Sequence, residues 1–137
     1  MKVLQVLILY SISICMILLL DFIWLGVVQR ENWKKTVKAV QKEDIQIRYK
    51  YSIMAYLLLA YIPVHISIWN SEYSYGYSFL NGLLIGLFVY GIFNLTNLSI
   101  FKNYNIKTAL YDTLWGMFLI MIISMILNFI GQKTIYI

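Results

Sequence analysis

The sequence predicts an all-α integral membrane protein, a four-helix bundle in lipid, and three observations lead to it. The chain is 61% hydrophobic against 12% charged, with a mean hydropathy of +0.74, which is too apolar for an ordinary soluble domain. Its apolar residues gather into four runs, each near the roughly 20 residues a helix needs to cross a bilayer. Nearly all of the charge falls in the connections between those runs. The runs cover about 3–28, 51–69, 79–101 and 106–130, and no Pro-, Gly- or Ser-rich linker divides the 137 residues, so residues 1–137 are read as one membrane domain.

The first run follows Lys2 as a signal peptide would. It outlasts the ~7 to 15 apolar residues of such a signal and lacks an A-x-A cleavage site, so it is expected to be retained as a span. Cys15, the single cysteine, lies in mid-span and is expected to pack; alone it makes no intrachain disulfide and no cysteine zinc site. Further along, Tyr10, Ile14, Ile17, Asp21 and Trp24 fall near one stripe of a helix. A carboxylate about 10 Å from the end of the run, at ~1.5 Å per residue, is too deep to reach water easily, so that stripe should face protein.

Of the eleven basic residues, seven crowd the first connection: Arg30, Lys34, Lys35, Lys38, Lys42, Arg48 and Lys50. Lys102 and Lys107 bracket the third, and the termini carry Lys2 and Lys133. The positive-inside rule therefore predicts that connections 29–50 and 102–107 are cytoplasmic and both termini outside. Orientation alone accounts for this charge, so nucleic acid is not an expected partner. Trp33, Val37 and Val40 recur at helical spacing among the lysines, a pattern that suits residues 30–50 to an anionic leaflet.

The second run carries Tyr51 and Trp69 where interfacial aromatics belong. Between them lie Pro63 and the only histidine, His65, expected as an interfacial side chain rather than a catalyst. In the third run Gly82, Gly86, Tyr90, Asn94 and Asn97 recur at steps of three or four. The G-x-x-x-G permits close helix contact, either within the chain or in a homodimer. Asn94-Leu95-Thr96 and Asn97-Leu98-Ser99 match the glycosylation pattern, but predicted burial argues against modification. The fourth run places Asp112 just over one turn inside, followed by Trp115 and Gly116.

Asp21, Asn94, Asn97 and Asp112 thus stand at one depth on three separate helices and are the candidate ligand- or ion-binding residues. Trp24, Tyr90, Thr96 and Trp115 are the expected supporting donors, and Gly82, Gly86 and Gly116 the packing positions. No lysine or arginine falls well inside a run to neutralise the acids, and an unpaired carboxylate in hydrocarbon is costly. Three readings follow: a proton, cation or small-solute site; a structural or assembly protein whose polar layer only sets helix packing; or a lipid-modifying enzyme. The layer has no His or Cys as base or nucleophile, which makes the enzyme the weakest reading. No cofactor or metal is expected, and the partners are the bilayer and a second copy of the chain. Asp21-x-x-Trp24 and Asp112-x-x-Trp115 also echo each other on spans of opposite direction, as inverted repeats do.

Asp21-Phe22-Ile23-Trp24-Leu25-Gly26, the Gly86 to Tyr90 stretch, Asn94-Leu95-Thr96-Asn97 and Asp112-Thr113-Leu114-Trp115-Gly116 together resemble a family of four-span membrane proteins, domain of unknown function twenty-one seventy-seven. The likeness covers nearly the whole chain and is most specific from Gly82 to Gly116. The family pattern reads approximately G-x-x-x-G-x-x-x-Y-x-x-Y-D-L-T-N, then D-x-x-W-G after a short basic loop. Here Phe93 stands for the tyrosine and Asn94 for the aspartate, so any charge chemistry falls to Asp21 and Asp112. The resemblance implies a multi-pass membrane protein and no established activity.

Overall fold

The computed structural model describes residues 2–134, and among them every regular element is helical. Helix α1 (Val3–Ile23) runs into a π-helical turn, Trp24–Val28, and is followed by α2 (Arg30–Gln41), α3 (Tyr49–Trp69), α4 (Tyr75–Ile100) and α5 (Ile106–Thr134). Four stretches are long and apolar enough to cross a membrane: Val3–Val28, Tyr49–Trp69, Tyr75–Ile100 and Ile106–Lys133. The all-α bundle read from the sequence is the observed architecture. Its details differ at two places. Helix α4 starts a turn earlier than the apolar run does, because the Ser74 hydroxyl accepts the Tyr77 amide and caps it. Most of the first connection is helix α2 rather than loop.

Helix α5 is the hub and contacts each of the other four helices, whereas among the described residues no Cα of α1 comes within 8 Å of one of α4. The apolar core is drawn from α1, α3 and α5: Leu9, Ile17, Ala60, Val64, Leu119, Ile123 and Leu127. Many large apolar side chains, Leu58, Phe22 and Leu95 among them, face outward, as lipid-facing helices require. The Tyr10 to Trp24 stripe faces protein, with Ile17 and Asp21 buried. Cys15 does not join it; the thiol is exposed on the outer face of α1, one helical step away from that stripe.

Hydrogen bonds supplement packing along the α1–α3 seam. Pro63 has no N–H, so the Leu59 carbonyl lacks its usual helical donor. The buried Ser13 hydroxyl donates to the Ala60 carbonyl at 2.7 Å, and Tyr10 donates to Leu57 at 2.7 Å. At the end of the bundle remote from α2, Tyr73 adopts a left-handed φ of 51° in the turn between α3 and α4. That turn is held down by α5, since Asn128 and Gln132 both donate to the Tyr73 carbonyl, at 3.0 and 2.8 Å.

The G-x-x-x-G motif serves an internal contact. A Cβ at Gly82 would lie 2.5 Å from the Met121 Cα, and one at Gly86 would lie 2.6 Å from the Gly116 carbonyl oxygen, so α4 and α5 meet backbone to backbone. Gly91, by contrast, faces only the Leu87 and Thr113 side chains, at 3.5 and 3.8 Å. Gly86→Val should therefore lower stability by about 1–3 kcal/mol through overpacking, while Gly91→Ala should leave it unchanged or raise it. Thermal unfolding midpoints in detergent micelles check both.

Candidate functional site

Helix α5 positions the polar layer, because Asp112 and Trp115 stand three residues apart on it and reach in different directions. Asn105 caps the helix start by accepting the Lys107 and Thr108 amides at 2.8 and 3.2 Å, which sets Asp112 one turn and a half inside. Asp112 meets α4. The Asn94 amide donates to its Oδ2 at 2.7 Å, to the Tyr90 carbonyl at 2.9 Å and, more weakly, to the Thr113 hydroxyl at 3.3 Å. The Asn94 carbonyl oxygen in turn accepts the Tyr104 hydroxyl at 2.9 Å. Burial pushes the Tyr104 phenol above its ordinary pKa, against a smaller opposing effect of the Asn97 amide, so at neutral pH it keeps its proton and donates.

Trp115 meets α1. Its indole N–H donates to Asp21 Oδ1 at 2.7 Å, and Tyr56 of α3 hydrogen-bonds the same carboxylate. The Trp115 ring lies flat against Trp24, with centroids 4.6 Å apart and planes 5° off parallel. Tyr90 crosses from α4 directly over Gly116, where any side chain would collide with its ring. The Tyr56 and Tyr90 hydroxyls both lie within electrostatic range of both carboxylates. Asp21 and Asp112 are each only 6% exposed and Asn94 2%. The ion pairs among the described residues, Lys34 with Glu31 and Lys38 with Asp44, leave both buried acids without a basic partner.

Of the residues singled out in the sequence, Asp21, Asp112, Asn94, Trp24, Tyr90 and Trp115 lie in this layer, with Gly116 beneath the Tyr90 ring. Two lie elsewhere. Thr96 faces outward on α4, and the hydroxyl beside Asn94 belongs to Thr113 instead. Asn97 stands one turn below Asn94, next to Tyr104, in the wall of a cleft under α2. The D-x-x-W echo is only half realised, since Trp115 bonds Asp21 while the buried Trp24 N–H has no hydrogen-bond partner among the described residues. His65 is exposed between the Tyr61 and Trp69 rings, and with Cys15 it lies outside the layer. Tyr56, Thr113 and Tyr104 were missed. Tyr56 and Thr113 sit at the depth of the acids, a signal the sequence does contain; Tyr104 lies in a loop that folds back under the layer, and nothing local marks it.

Fold and site define an integral, multi-pass helical membrane protein with a polar layer buried at one end. The chain belongs to the family described as "Predicted membrane protein (DUF2177)", whose model matches residues 6–129. No curated protein and no solved structure matches it.

Three substitutions test the layer by its stability. Trp115→Phe keeps the stack on Trp24 but removes the bond to Asp21, and should cost about 0.6–1.7 kcal/mol. Asn94→Ala leaves Asp112 and Tyr104 without their shared partner and should cost about 1–3 kcal/mol. Thr96→Ala should be neutral. Unfolding midpoints of the purified protein in micelles measure all three.

Proposed function

We propose that Asp21 and Asp112 form an intramembrane site for a proton or small cation, exchanged with the face of the membrane that carries α2. The observation that carries this reading is a pair of buried carboxylates whose neighbours are all donors: an indole N–H, phenol hydroxyls and a carboxamide. Such donors orient carboxylates without cancelling their charge, and two negative charges in a low-dielectric interior favour an added positive one. Tyr104 and Asn94 extend the hydrogen-bonded path from Asp112 toward the connection at 101–105. A second reading has its own support, because the same contacts tie α1, α3 and α4 to α5 and would serve a purely structural layer.

The charge distribution supports connections 29–50 and 102–107 on the cytoplasmic side, both termini outside, and residues 30–50 on the inner leaflet. A homodimer would supply the enclosed volume that four spans lack. Its contact would use outward faces of the bundle, since Gly82 and Gly86 are occupied by α5.

Asp21→Asn and Asp112→Asn separate the two readings in proteoliposomes. Transport predicts folded protein at normal yield with proton or cation flux abolished by either substitution. A structural layer predicts lowered stability and no flux in the parent protein. Orientation is read separately on a Cys15→Ser background. A membrane-impermeant maleimide should label Ser71→Cys in intact cells and Lys42→Cys only after permeabilisation.

A further inference from the structure

Among the described residues no Cα of α2 comes within 8 Å of one of α4, and a cleft of about 210 Å³ opens between them. One wall is the inward side of α2, with Trp33, Val37 and Val40; the facing wall is the inner end of α4 and the residue after it, with Phe93, Asn97 and Phe101. The helix is pinned above the cleft by side chains of the 101–108 region, including a long bond from the Asn103 amide to the Ala39 carbonyl at 3.5 Å. Thr36 bonds Thr108 at the start of α5 at 2.9 Å, and the Trp33 ring meets the Tyr104 ring edge-on at 6.3 Å. Phe93 and Phe101 are themselves exposed on the lipid-facing side of α4, so the cleft is continuous with the surface that hydrocarbon covers.

We propose that this cleft binds an anionic phospholipid, with one acyl chain and its ester group between α2 and α4 and the phosphate over the basic side of α2. Three features support the assignment. The walls are mostly aliphatic and aromatic, and a volume of about 210 Å³ suits a segment of one chain and not a whole lipid. The indole N–H of Trp33 is buried in the wall without a protein acceptor, and an ester or phosphate oxygen supplies one. Lys34, Lys35 and Lys38 are exposed on the outer side of the same helix; Lys34 pairs with Glu31 and Lys38 with Asp44, which leaves Lys35 without an acid partner among the described residues. A phosphate beside α2 therefore meets the net positive charge of that helix, four basic residues against Glu31, whereas a zwitterionic headgroup brings its own cation into the same place.

The site rests on the inner-leaflet placement of residues 30–50 given above and is independent of cation binding at Asp21 and Asp112. The test is carried out on the full chain in nanodiscs of equal phosphatidylglycerol and phosphatidylcholine. Bound lipid is counted by native mass spectrometry after release, and Trp fluorescence is quenched by lipids brominated along the acyl chain. Phosphatidylglycerol should be retained severalfold over phosphatidylcholine, and the preference should vanish in Lys34→Gln/Lys35→Gln/Lys38→Gln, whose changes are all at exposed positions. Part of the quenching should be lost in Trp33→Phe, with the exposed Trp69 accounting for the remainder. Equal retention of the two lipids, a preference that survives the triple substitution, or a Trp33 signal that brominated chains leave unquenched would each overturn the proposal. Maleimide labelling reports orientation, so a misplaced connection and a lipid-free cleft give different results.

Discussion

Two carboxylates buried without a cation dictate what surrounds them. In water the charge of Asp21 or Asp112 would be solvated at little cost; in an apolar interior each carboxylate needs a donor, and each donor has to be delivered by a neighbouring helix. Trp115, Tyr56 and Asn94 meet that need from α5, α3 and α4. Four helices are thereby bound to one layer, which explains why α5, carrying one acid and the donor to the other, is the element all the rest touch.

Close approach of α4 to α5 is the condition for this arrangement. Asn94 reaches Asp112 at 2.7 Å only because Gly82 and Gly86 let the two backbones meet. Gly116 then leaves room for the Tyr90 ring on the same seam. In lipid, where burying apolar surface between helices gains little, such contacts and the hydrogen bonds they permit supply most of the association. The Tyr73 turn, clamped by Asn128 and Gln132, holds the far end of the same pair. The α4–α5 hairpin is therefore fastened at both ends, with its polar layer at one of them.

The π-helical turn at Trp24–Val28 belongs to the same layer. The Gln29 amide bonds back five residues to the Trp24 carbonyl at 2.7 Å, and the extra residue per turn shifts everything after it around the helix axis. Trp24 stays stacked on Trp115 while the chain turns out of the bundle through the buried Gln29 into α2. The span that carries Asp21 is in this way joined directly to the basic helix beside the cleft.

Hydropathy along the chain was enough to predict the four spans, because each run must satisfy its backbone internally to cross lipid. Counting residues from the ends of the runs also put Asp21, Asn94 and Asp112 at one depth, since rise per residue is constant in a helix. Depth and face say nothing of which neighbour a side chain meets. That Trp115 serves Asp21 across the bundle while Trp24 bonds neither acid, that Thr113 and not Thr96 stands beside Asn94, that Cys15 faces outward, and that a loop tyrosine closes the network from below were decided by tertiary structure. Helix order around α5 and the close glycine contact set those pairings, and both depend on residues far apart in the chain.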